Sequence, residues 1–203
     1  MSNRSPHRAW LVDLDGTLYR LFPVQVAMGL ALLARAPHQW AALRAFRRQH
    51  ERLRAEGGAH APYPWHVQLE RTAVELGTSV PKLEACVRTW MLHRPGPFLR
   101  LARRTALLGE IAAFRARGGR TALVSDYPAR VKLEALGALN LFDEVVANGE
   151  PGGPARLKPA PDGYLLAAGR LGVPAAECLV LGDRIDADGE AARRAGMAFR
   201  LVR

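Results

Sequence analysis

Two carboxylates separated by one residue, in Asp13-Leu14-Asp15-Gly16-Thr17-Leu18, follow the short apolar run Ala9 to Val12. That run reads as a buried strand, so the pair falls at a strand's carboxyl end, where open α/β sheets bind ligands. Strand alternation turns Leu14 away and lets Asp13 and Asp15 face one site before Gly16 bends the chain. One such group suits a nucleophile and the other an acid or base. Aspartates also close strands for local hydrogen-bonding reasons. Here, however, six of the chain's eight, Asp13, Asp15, Asp126, Asp183, Asp186 and Asp188, sit just after three apolar runs. Scattered solvating charges do not cluster in this way.

Three further segments carry candidate chemistry. Thr121-Ala-Leu-Val-Ser125-Asp126 ends an apolar run in a hydroxyl that can donate to an anionic oxygen, or can instead cap a helix starting near Pro128. Lys158, in Lys158-Pro-Ala-Pro161-Asp-Gly-Tyr164, is one of three lysines beside 26 arginines. In such a composition a lysine marks a need for a compact point charge. Cys178-Leu-Val-Leu-Gly182-Asp183-Arg-Ile-Asp186-Ala-Asp188 is a buried-strand pattern running into an acidic turn. Carboxylates crowded at a strand end repel unless they share a cation, and oxygen-only ligands point to Mg²⁺ rather than zinc.

In this order the four segments resemble the haloacid dehalogenase superfamily, whose hydrolases carry DxDGT, a strand-end Ser or Thr, a Lys, and GDxxxD or GDxxxxD. The likeness covers residues 9–18 and 105–200 in detail. It implies a nucleophile, Asp13, that forms an aspartyl-phosphate, and Asp15 as acid and base. It further implies Ser125 and Lys158 on the phosphoryl group, and Mg²⁺ held by Asp13, the Asp15 carbonyl and Asp183. Asp188 fits the second carboxylate of the last motif better than Asp186, which stays a rival. Dehalogenating members characteristically lack a carboxylate two positions after the nucleophile, so Asp15 favours phosphate ester hydrolysis. The expected substrate is a small phosphorylated metabolite, with phosphoglycolate-like and sugar phosphates as family-level examples. A phosphomutase would use the same core. Asp126 stands where many relatives have asparagine, and Arg184 where a small residue is common.

The elements that must position these residues read as strands near 9–14, 120–124, 144–147, 178–182 and 197–201. Helices are expected near 24–35, 38–56, 65–77, 80–93, 104–117, 128–137, 161–171 and 187–195. Alternation of this kind predicts an α/β fold with a doubly wound, Rossmann-like parallel sheet. Residues 1–18 and 100–203 would form that core and 19–99 a small helical cap, joined by linkers near 18–23 and 94–103. A closing cap excludes water and selects leaving groups.

The 203 residues suffice for one substantial core and a small accessory unit. Two cysteines, Cys86 and Cys178, make neither a disulfide framework nor a metal cluster, and the short apolar start broken by Asp13 is no signal peptide, so the expected compartment is the cytoplasm. The formal charge of +10 fits steering of anionic substrates, or binding of nucleic acid or an anionic membrane through Arg44, Arg47, Arg48, Arg52 and Arg54. The simplest reading of that run is a solvated helix face. Five of the six histidines lie in the insertion, with spacing that matches no zinc motif. Among them, the 57–66 loop with His60, Tyr63, Trp65 and His66 is a candidate to dip toward substrate.

Overall fold

The computed structural model describes residues 7–203. Five short strands, β1 (Ala9–Val12), β2 (Arg120–Ser125), β3 (Glu144–Ala147), β4 (Cys178–Gly182) and β5 (Ala198–Leu201), form one parallel sheet in the order β3-β2-β1-β4-β5. The chain moves outward from β1 to β3 and then returns to the other side of β1. The winding therefore reverses between β1 and β4, the crevice in which doubly wound sheets bind ligands. Asp13 leaves β1 and Asp183 leaves β4 at that crevice.

β1 is buried along its whole length, which explains an apolar run with no polar alternation. Trp10 and Val12 point to one face, where they join Leu123, Leu181, Ile111, Leu133 and Leu136. Ala9 and Leu11 point to the other, with Ala122, Val180, Tyr164 and Ala167. Helices α6 (Thr105–Ala116) and α7 (Arg130–Leu136) cover the first face, and α8 (Asp162–Leu171) and α9 (Glu190–Ala195) the second. Trp10 stacks on Phe114 with ring centroids 4.3 Å apart.

Between β1 and α6 the chain is helical: α1 (Leu21–Arg35), α2 (Trp40–Glu56), α3 (Pro64–Leu76), α4 (Val80–Val87) running into a wider turn at Arg88–His93, and α5 (Gly96–Ala102). These helices have hydrophobic clusters of their own, one around Phe46, Trp65, Leu69 and Val87 and one around Leu32, Ala36 and Trp90. The segment expected as a linker near 94–103 carries α5, and its Leu99 is fully buried in the main core beside Val24 of α1. Pro95 and Pro97 are compatible with helix here because they fall at its start, where a missing N–H costs nothing.

Helix α7 begins at Arg130, two residues later than the sequence suggests. Its first N–H groups are satisfied from afar: Ala129 and Arg130 donate to Glu150 Oε1 at 2.6 and 2.9 Å. Ser125 Oγ instead accepts from the Tyr127 N–H at 3.2 Å, a turn contact rather than a helix cap. None of the helices among the described residues is long and apolar enough to cross a membrane.

Candidate active site

Asp13, Asp15, Ser125, Lys158, Asp183 and Asp188 all line one cavity of about 430 Å³ above the carboxyl ends of β1, β2 and β4. The chain reaches this arrangement through backbone constraints at two glycines. Gly16 has φ +97°, and a Cβ there would overlap the Asp183 carboxylate. Gly182 leaves β4 so close to Asp188 that a Cβ would overlap that side chain too. Both positions need the absent side chain to let carboxylates from separate segments meet.

Lys158 is the hub. Its ammonium, on a residue only 5% exposed, lies 2.6 Å from Asp13 Oδ1, 2.8 Å from Asp188 Oδ1 and 3.0 Å from the Val124 carbonyl. Thr17 donates to Asp13 Oδ2 at 2.9 Å. Tyr164 donates to Asp188 Oδ1 at 2.8 Å, and the Arg184 N–H to Asp188 Oδ2 at 3.2 Å. Burial opposes the charge on Lys158, but Asp13 and Asp188 outweigh it and hold the amine protonated well above its usual range. Burial pushes Asp13 up to about 8, with the charge of Asp188 adding to the rise and Lys158 pulling the other way. Asp183 is raised as well, by burial and by Asp188.

Carboxylate oxygens of Asp13, Asp183 and Asp188 lie within 4.8 Å of one another. Three carboxylates and one ammonium leave negative charge uncompensated in a buried place, and an all-oxygen donor set is what a hard divalent cation takes. The residues present therefore fit such an ion. Asp186 lies outside the group: its side chain is 71% exposed and pairs with Arg184.

The Asp15 carboxylate also stands apart from this cluster. Lys132 donates to both of its oxygens, at 2.6 and 2.9 Å, and Tyr19 OH donates to Oδ1. Burial alone would raise the Asp15 pKa, yet the charge and hydrogen bonds of Lys132 and the hydroxyl of Tyr19 lower it. Neither Lys132 nor Tyr19 stood out in the sequence. The signal that marks Lys158 was available for Lys132, since two of the three lysines are buried here and Lys82 lies outside.

Asp126 accepts from the Lys158 N–H at 3.2 Å through Oδ1 and from Arg54 at 3.0 Å through Oδ2. It thus ties the loop after β2 to α2. The arginines of α2 do not share one outward face. Arg44, Arg47 and Arg54 line the cavity, whereas Arg48 and Arg52 turn toward Glu75 of α3. The helical period explains the split, because positions 44, 47, 51 and 54 form one stripe and 48 and 52 another. His60, Tyr63, Trp65 and His66 do not line the cavity. His50 does, packed on Tyr127 with ring centroids 4.4 Å apart.

No protein of curated function matches this chain. Several solved structures share its fold. L-2-haloacid dehalogenase from Xanthobacter autotrophicus, solved with chloropropionic acid covalently bound, is 20% identical with a TM-score of 0.65, over 97% of this chain and 77% of that one. YfnB from Bacillus subtilis, taken for a HAD-hydrolase and bound to magnesium, is 18% identical with a TM-score of 0.63, over 95% and 87%. A predicted phosphoglycolate phosphatase from Haemophilus somnus is 20% identical with a TM-score of 0.60, over 97% and 85%. At these identities the likeness establishes the architecture alone. The profile of the haloacid dehalogenase-like hydrolases, by contrast, matches residues 7–196, a span that includes the carboxylates, the serine and the lysine gathered at the β1/β4 crevice, and the chain belongs to that family.

Proposed function

We propose that the protein is a Mg²⁺-dependent phosphatase that hydrolyses a small phosphate monoester through an aspartyl-phosphate on Asp13. The observation that carries this reading is Asp15, a second carboxylate that opens on the same cavity as the nucleophile. Displacing a halide needs no proton donor, whereas expelling an alcohol does. The helices between β1 and α6 would act as the cap over the site.

An oxygen of Asp13 attacks phosphorus and the ester P–O bond breaks, with the leaving oxygen taking a proton from Asp15. Water then attacks the acyl-phosphate and gives a proton to Asp15, which releases inorganic phosphate and regenerates Asp13. Lys158 and Ser125 hold the phosphoryl oxygens and offset charge as it develops. Lys132 and Tyr19 keep Asp15 ionised at rest, the form that accepts a proton from water. For the first half-reaction Asp15 must carry a proton, which it gives to the leaving alcohol and takes back from the attacking water in the second, so the cycle consumes no net proton. Asp13, Asp183 and Asp188 would hold the cation. Bound Mg²⁺ supplies positive charge that favours the ionised nucleophile and offsets its repulsion from an anionic substrate.

The test is phosphate release from a panel of phosphate esters with and without Mg²⁺, alongside halide release from 2-haloacids. Release of phosphate by the parent, reduced at least about a thousandfold in Asp13→Asn, supports the reading. Halide release without phosphate release would reverse it in favour of a dehalogenase.

A further inference from the structure

The cavity has two chemically different halves. Its floor is the set of charged groups at the strand ends. Away from them, its wall is built by Val24, Met28 and Leu32 of α1, Leu43 of α2, and Trp90 and Met91 from the turn after α4. We propose that the alcohol released is an apolar one, so that the substrate is an alkyl or aryl phosphate whose hydrocarbon body lies in this chamber. The proposal rests on the phosphatase reading and narrows it, displacing the sugar and hydroxy-acid phosphates expected from family likeness.

Three features carry the inference. First, the patch formed by Val24, Met28, Leu32, Leu43, Trp90 and Met91 offers a polyol little to bond. The indole N–H of Trp90 is already committed to Gln39, which also takes the Cys86 thiol at 3.4 Å. Arg94 stacks over the Trp90 ring at 4.4 Å, so the indole is held from one side by that guanidinium. Sugar hydroxyls moved from water to such a wall would lose partners, at a cost that methylenes do not bear. Second, the chamber has room. Gly29, on the cavity-facing side of α1, has no atom within 4 Å of where a Cβ would stand. A volume of about 430 Å³ falls in the usual range of small-molecule sites, roughly 300–1,000 Å³. Third, the cavity also carries cationic side chains suited to an anionic phosphoryl group. Arg44 and Arg47 line the cavity with no ion-pair partner among the described residues, while Gln25 is the polar cavity-lining side chain on α1.

The experiment measures Mg²⁺-dependent kcat/KM for ethyl, butyl, hexyl and octyl phosphate, whose leaving alcohols differ little in acidity. Glucose 6-phosphate, glycerol 3-phosphate and phosphoglycolate run beside them. We expect kcat/KM to rise about threefold to fourfold for each methylene until the chamber fills. Gly29→Leu, which occupies the chamber and removes a helix-weakening glycine, should lower the octyl-to-ethyl ratio about tenfold. A flat chain-length series, or preference for the polyol and hydroxy-acid esters, overturns the proposal and leaves the phosphatase reading standing. Failure to cleave even 4-nitrophenyl phosphate and acetyl phosphate overturns the phosphatase reading itself. In that event calorimetry keeps the chamber testable: tighter binding of octylphosphonate than of ethylphosphonate supports it, and equal binding overturns it.

Discussion

The floor and the wall of the cavity are built on opposite principles. At the floor, groups from four separate chain segments meet within hydrogen-bonding distance, and Asp13 and Asp188 are each held by the Lys158 ammonium and by a hydroxyl. Along the wall, apolar side chains from α1, α2 and the turn after α4 meet by packing, and one can replace another of similar volume at small cost. On the proposed reading, the contrast separates the two tasks of the site. Chemistry needs directional groups at fixed distances, because a buried charge displaced from its partner loses more than it gained. Selection of a leaving group needs only volume and polarity.

The sharpest way to break this contrast is at the floor. Gly16→Ala adds a Cβ against Asp183 in a backbone region that disfavours side chains, so it should cost roughly 1–3 kcal/mol of stability and abolish Mg²⁺-dependent turnover. Denaturant unfolding and a phosphate-release assay read both. A comparable Ala at Gly29 should do neither, since nothing stands near that Cβ. Lys132→Met tests the next layer. Lys132 holds the Asp15 pKa down, so without it Asp15 stays protonated to higher pH. Hydrolysis of the phosphoenzyme is the step in which Asp15 accepts a proton, so the acidic limb of that rate in single-turnover assays should move upward, with the rate at neutral pH lower by about tenfold to a hundredfold.

A smaller effect distinguishes the two stripes of α2. Replacing Arg44 and Arg47 together by Ala should raise KM about tenfold in steady-state assays, an effect that salt masks. Replacing Arg48 and Arg52, which pair with Glu75 at the surface, should leave KM alone and change stability by less than about 1 kcal/mol. The smallest expected effect is at His50. Burial lowers its pKa below the usual value, despite the opposing charge of Asp126. The neutral ring therefore contributes stability in full above about pH 6.5, and that contribution is lost as pH falls and the unfolded chain alone takes up the proton. The expected slope is at most about 1.4 kcal/mol per pH unit below 6.5. Thermal melts from pH 7.5 to 5.5 should show this slope flattened in His50→Gln.

The same division marks how far the sequence can be read. Asp13, Ser125, Lys158 and Asp183 announce themselves because each terminates or follows an apolar run, and a polar residue at a strand end has few other reasons to recur. Asp188 is favoured over Asp186 on paper by the motif spacing alone. The wide turn at Ile185–Gly189 supplies the physical separation, turning Asp188 inward to Lys158 and Tyr164 and leaving Asp186 beside Arg184. Lys132 sits in α7 with a pattern no different from a solvated helix, and its role appears only where that helix crosses behind Asp15. Helix α5 hides behind two prolines that read as a break and serve as a helix start. The arginines of α2 look like one basic patch until the helical period is phased against α3 and the cavity.

The sequence by itself therefore determined the layered α/β architecture and the residue types of the catalytic floor. Both depend on local signals: hydrophobic runs of strand length, turns that need glycine, and charged groups that follow them. Only the tertiary structure decided that Asp186 lies outside the carboxylate cluster and that Lys132 restrains Asp15. It likewise decided which face of α2 lines the cavity and how apolar the chamber above the floor is. Those properties depend on the phase and crossing of helices that are distant in sequence, and a helix's own periodicity says which residues share a face without saying what that face will meet.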